Sequence, residues 1–185
     1  MAERMAAEIW IGGKVTLSQA DALAKAVAQE GVALDWGQKA FVPDCGEELL
    51  EARCRGNGAN LLRLCAEEAC GGAMDQLESF LGEEQISFRR YGDGKYEFDA
   101  EMVEYRPDLG WPAPRSWPAS AGGDPLVAAA LLRQIADRLD RAAGTADENE
   151  LRAAVQAAAM ELTSLLPPER PPLPDFEIEI EAAAS

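Results

Sequence analysis

The sequence predicts an α+β domain with a ferredoxin-like split β-α-β sheet, built from two β-α-β halves, followed by a C-terminal helical hairpin. Three observations lead there. Short alternating apolar runs flank two amphipathic stretches within the first hundred residues. A double glycine, Gly12-Gly13 and then Gly71-Gly72, separates strand from helix in each half. Later, apolar residues recur every fourth position on both sides of Gly144. With 185 residues, 48% apolar and 27% charged, the chain has material for one real core and the composition of an ordered protein. The expected units are a sheet domain over 1–106, a Pro/Gly/Trp-rich linker over 107–123, the hairpin over 124–168 and an extended acidic tail over 169–185.

In the first half, Ile9 and Ile11 alternate with Glu8 and Trp10, which is the period of a strand. A helix follows, with Ser18 as its candidate N-cap, Leu23 and Val27 on its inner stripe and Gly31 at its stop. "VALDW" (32–36) then resumes as a strand. In the second half "LLRLCAEEAC" is a strand, "AMDQLESFLGEEQ" a helix with Leu77, Phe80 and Leu81 on one side, and "ISFRRY" the closing strand. The halves differ in length and share little identity, so the repeat is an echo of structure only. Between them, Glu47 to Arg53 reads either as one arm of a hairpin turning at Gly56-Asn57-Gly58 or as a turn or two of helix; the hairpin is favoured.

After "ISFRRY", a two-residue turn at Asp93-Gly94 would set Phe88 against Asp99 and bury carboxylates. A three-residue loop, Gly92-Asp93-Gly94, sets Phe88 against Phe98, Ile86 against Ala100 and Arg89 against Glu97. That register leaves Glu97, Asp99 and Glu101 in a row on the wet face. The alternation changes phase after Met102, where a bulge or strand end belongs. Four prolines between Pro107 and Gly123 exclude helix interior and central strand. Asp124-Pro125 starts a helix carrying Leu131, Ile135 and Leu139. Thr145 and Glu148 form a capping box for a second, with Leu151, Val155, Ala158, Leu162 and Leu165 inward, ending at Pro167-Pro168. Phe176, Ile178 and Ile180 alternate with acids in a tail able to join a sheet edge, the chain's own or a partner's.

Charge sets the functional classes. Seventeen basic and 33 acidic residues give −16, and both parts of the chain share the excess: 21 acids to 11 bases in residues 1–110, and 12 to 6 in 111–185. Such a chain repels nucleic acid and anionic membranes and draws basic partners from a distance. With no leader-like start and no run of membrane-spanning length, it is expected in the cytoplasm, its four cysteines reduced.

Histidine is absent, which removes Ser-His-Asp and Cys-His sites and imidazole ligation. Cys45, Cys54, Cys65 and Cys70 lack the close pairs of zinc knuckles; Cys54 and Cys65 read as small apolar residues in a sheet. The glycine pairs lack P-loop and dinucleotide-site neighbours, so they read as tight turns. No cofactor or metal is expected. A one-face carboxylate row would repeat about every 6.7 Å, close to two steps of the roughly 3.4 Å charge spacing along one DNA strand. In size and charge, though in no motif, the chain resembles the small acidic inhibitors of phages and mobile elements, antirestriction and some anti-CRISPR proteins among them. The leading expectation is therefore a non-catalytic binding protein that mimics nucleic-acid charge and blocks a basic, nucleic-acid-handling protein. Its candidate contacts are Glu83, Glu84, Glu97, Asp99 and Glu101, with Trp111 and Trp117 on the proline-stiffened segment. Alternatives are a structural or assembly protein, with homodimerisation, using the hairpin and tail, and an enzyme using carboxylates with a divalent metal.

Overall fold

The computed structural model describes residues 3–56, 58–95, 99–120, 123–144, 148–165 and 171–179. Among them are five α-helices and a seven-stranded, mostly antiparallel sheet. Strand β1 (Arg4–Thr16) lies at its centre, burying Met5, Ala7, Ile9 and Ile11 on one face. Helix α1 (Leu17–Glu30) follows without a loop because the strand's last residue caps it. Thr16 Oγ1 accepts the Gln19 N–H at 3.2 Å, and Gln19 Oε1 accepts the Thr16 N–H at 3.0 Å. The N-cap is thus Thr16, not Ser18. Gly31, at φ 75°, closes the helix through its N–H to Val27 O.

"VALDW" is not a strand. Only Ala33 pairs, with Cys65, before the chain bends away. Gly37 adopts φ 74° with its N–H on Glu67 Oε1, and Phe41 N–H returns to Val32 O at 2.7 Å. Helix α2 (Gly46–Glu51) follows, so the disputed Glu47–Arg53 stretch is mainly helical. Gly46 is required there: a Cβ would strike that of Ala20 on α1. The hairpin survives as β2 (Cys54–Gly56) and β3 (Ala59–Cys70). Helix α3 (Asp75–Glu83), β4 (Ser87–Gly92), β5 (Glu101–Tyr105), a 3-10 turn (Pro107–Leu109) and β6 (Arg115–Pro118) come next. The strand order is β2-β3-β1-β4-β5-β6, each pair antiparallel. Leu23 and Val27 of α1 and Leu77 and Leu81 of α3 pack on Ile9, Ile11, Leu62, Leu64 and Phe88, which places both helices on one face.

The three-residue turn at Gly92–Gly94 does not form. The register pairs Phe88 with Tyr105, Arg89 with Glu104 and Tyr91 with Met102, with β4 ending at Gly92 and β5 starting at Glu101. The phase after Met102 decides it: Val103 and Tyr105 enter the main core, while Ala100 and Met102 join a second cluster with Trp111, Trp117 and Ala119. Phe98 and Glu97, assigned to that turn's register, lie outside the described residues.

Helices α4 (Ala129–Ala143) and α5 (Glu148–Leu165) meet through the Arg138–Glu161 ion pair, with Ile135, Ala142 and Ala158 buried. Helix α4 begins at Ala129, later than Asp124-Pro125 suggests. Of the expected inner stripe of α5, Leu151 and Val155 are exposed, Ala158 is buried, and Leu162 and Leu165 are half-buried. Thr145 of the expected capping box lies outside the described residues. The tail forms β7 (Phe176–Glu179), parallel to Gly13–Thr16 of β1, with Phe176 fully buried. No helix among the described residues is long and apolar enough to cross a membrane.

Candidate functional site

The carboxylate row expected at residues 97–101 is not found as a row. Glu97 lies outside the described residues, and Asp99 is exposed but precedes β5. Glu101 is in β5, where its Oε2 sits 2.6 Å from Arg90. Arg90 is 3% exposed, ion-pairs with Glu78 at 2.8 Å and donates to the Gly72 carbonyl at 2.7 Å, so Glu101 belongs to a clamp joining α3 to the sheet. Glu83 is exposed at the end of α3 and accepts from Ser79 Oγ. Glu84 accepts from the Gln19 side chain, tying α3 to the start of α1. Trp111 and Trp117 pack on each other with centroids 6.2 Å apart and are 8% exposed each. They cluster with Ala100, Met102 and Ala119 beside the edge strand β6.

What replaces the row is a separation of charge by layer. Helices α1, α2 and α3 together hold eight acids (Asp21, Glu30, Glu47, Glu48, Glu51, Asp75, Glu78, Glu83) and a single base, Lys25. Strands β1 to β6 hold seven bases and five acids, a slight positive excess. Helix dipoles favour part of this, since Glu47 and Glu48 occupy the first turn of α2 and Asp75 and Glu78 that of α3. Beside α2, a groove of about 540 Å³ is lined by Leu17, Leu50 and Ile178, with Glu47 and Glu179 at its rim. Leu17 is half exposed there.

The helix-free face of the sheet is different. Its central charges are paired, and Glu104 and Arg106 are fully buried. Arg63 bridges Glu8 at 2.7 Å and Asp35 at 3.2 Å. Glu104, fully buried, lies 3.3 Å from Arg89 and 3.5 Å from Arg106. Arg106 in turn bonds Asp108 at 2.7 Å and the Pro171 carbonyl at 2.8 Å, anchoring the segment that leads to β7. Hydrogen bonding from Arg106 and then Ser87, outweighing partial burial, holds the Asp108 carboxyl below the usual carboxylate range; Asp108 raises Arg106 in return. On this face Trp10, Trp36 and Tyr91 line a cleft of about 590 Å³ together with Leu61, Met102 and Leu173, and with Glu8, Arg89 and Asp93 as its charged groups. Burial, then the neighbouring Asp93, push the Tyr91 phenol up to about 12.

Among the described residues no three His, Cys, Asp or Glu side chains come together as a metal site would require. Cys65 is buried, and burial pushes its thiol up to about 11, whereas Cys54 is exposed at the hairpin rather than tucked into the sheet. No protein-family model, no curated protein and no solved structure matches this chain. The residues missed in the sequence had signals there. "GEELLE" and "DQLESFLGE" contain no base, and Trp10 alternates with Ile9 and Ile11, which puts it on the face away from the core.

Proposed function

We propose that the chain is a non-catalytic, acidic protein-binding module acting in the cytoplasm, and that its helical layer engages a basic surface of a nucleic-acid-handling protein in place of nucleic acid. One observation carries the reading: eight acids against one lysine on α1–α3, beside an apolar groove that gives a basic segment somewhere to anchor. The strand order β2-β3-β1-β4, with α1 and α3 on one face, supports the ferredoxin-like split β-α-β layout for the sheet that carries these helices.

Capture from the native host at about 50 mM salt tests it. The expected partner is basic, loses at least about tenfold in affinity by roughly 300 mM salt, and is not retained by a Glu47→Gln, Glu51→Gln, Asp75→Asn, Glu83→Gln variant. Nucleic acid should compete with the chain for that partner. Binding indifferent to salt and to these four substitutions removes the reading.

A second reading is assembly through the helical pair, favoured by Val155 at 51% and Met160 at 75% exposure on α5. It predicts self-association in sedimentation runs that survives high salt and disappears in a Val155→Ser, Met160→Ser variant.

A further inference from the structure

We propose that the cleft on the helix-free face binds an alkylated organic ammonium ion, with Trp36, Trp10 and Tyr91 as its aromatic walls. Aromatic faces attract cations through the ring quadrupole, most strongly in indole, and alkylation lowers the cost of stripping water from the ion. The sheet already uses this chemistry internally. The Arg63 guanidinium lies 5.5 Å from the Trp10 ring centroid and that of Arg115 4.4 Å from Trp111. Trp117 packs on Trp111. Trp36 has no such partner among the described residues and is 41% exposed, on a bend held by Asp35 and Glu67.

Local charge agrees. The cleft's arginine, Arg89, faces Glu104, and Glu8 is taken by Arg63. Asp93 remains, exposed at the wall beside Tyr91 and without an ion pair among the described residues. The uncompensated charge of the lining is thus negative, on a chain of net charge −16. An anionic or neutral planar ligand would gain stacking but nothing from that field. The volume, about 590 Å³, exceeds what an ammonium head needs and leaves Leu61, Met102 and Leu173 to cover an apolar body. The Trp10 ring is placed before any ligand arrives: a Cβ on Gly56 would fall 2.5 Å from it, so that glycine lets the indole lie against β2. This inference concerns the face opposite the acidic helices and stands apart from the partner proposed above.

Calorimetric titration of the full chain tests it, with acetylcholine as probe against its uncharged carbon isostere, 3,3-dimethylbutyl acetate. A peptide containing trimethyl-lysine is run against its unmethylated form to separate a free ammonium from a protein-borne one. Saturable binding of acetylcholine or of the methylated peptide is expected, with the isostere or the unmethylated peptide at least about tenfold weaker. Trp36→Ala should abolish binding, Trp36→Phe retain part of it, and Asp93→Asn weaken it several-fold. Trp36 is exposed and outside the core, so folding is not at stake; circular dichroism verifies that. Equal binding of the isostere, no saturable binding of either cation, or unchanged binding in Trp36→Ala overturns the assignment.

Discussion

Helices α1–α3 and the helix-free face of the sheet both carry many charged residues, yet they use them in opposite ways. On the sheet, carboxylates and guanidinia are withdrawn from water and locked together. Glu104 and Arg106 are each 1% exposed or less, and each reaches more than one partner. On the helices, Glu47, Glu51, Asp75 and Glu83 project into solvent with no base in reach of their own helices. A buried charge must be matched because desolvation would otherwise exceed its attraction. An exposed one costs little to leave unmatched, and so remains available to a partner. The helical layer, with eight acids and one base, thus carries −7 of the chain's net −16, while strands β1 to β6 carry none of the excess.

The sharpest way to break this comparison is to unmatch the sheet. Arg106→Leu removes one of the two arginines beside the buried Glu104, takes from Asp108 its ion-pair partner and frees the Pro171 carbonyl, so urea unfolding should show a loss of about 3–5 kcal/mol. A loss under about 1 kcal/mol would mean the network does not hold the sheet. Next in size, Gly12→Ala drives a methyl into the Pro174 carbonyl and the Leu61 side chain. It should cost about 1–3 kcal/mol and expose residues 171–179 to proteolysis, because that segment must lift from β1.

Acid titration sharpens the contrast further. Asp108 has its carboxyl depressed in the folded state, so its contribution is complete above the unfolded carboxylate value, about 3.9, and is lost as pH falls through the lower folded value. Asp108→Asn should flatten this acid limb and leave the pH 7 to 5 region parallel to wild type; an unaltered acid limb would remove Asp108 from the account. The smallest effect is expected from the helices. Neutralising Glu47, Glu51, Asp75 and Glu83 together should shift stability by within about 1 kcal/mol, since surface changes are nearly neutral and relief of self-repulsion opposes lost dipole terms. A loss above about 2 kcal/mol would show that these acids have a structural task after all.

Several elements were legible because their signals are local. The alternation at Ile9 and Ile11, the helix ending at Gly31, the short helix within "AMDQLESFLGEEQ" and the strand-like Phe176–Ile178 all appear as read. The second glycine pair does mark a turn, with Gly71 and Gly72 both at positive φ. The failures share one cause. Ala100 and Met102 do alternate, but which face they serve depends on Trp111 and Trp117, more than eight residues away in the chain. "VALDW" has a strand's composition but reaches β3 only through the Ala33–Cys65 bridge, while β2, arriving after another helix, pairs with Ala59–Leu61 along the same edge.

By itself the sequence determined the mixed helix-and-strand class, the core-facing stripes and the size of the acidic excess, because period, capping and charge are properties of neighbours and sums. Only the tertiary structure decided which acids are bound and which are open, and that Trp10, Trp36 and Tyr91 share one cleft. Those facts depend on strand register and on the positions of loops brought together from across the chain, and no local pattern encodes either.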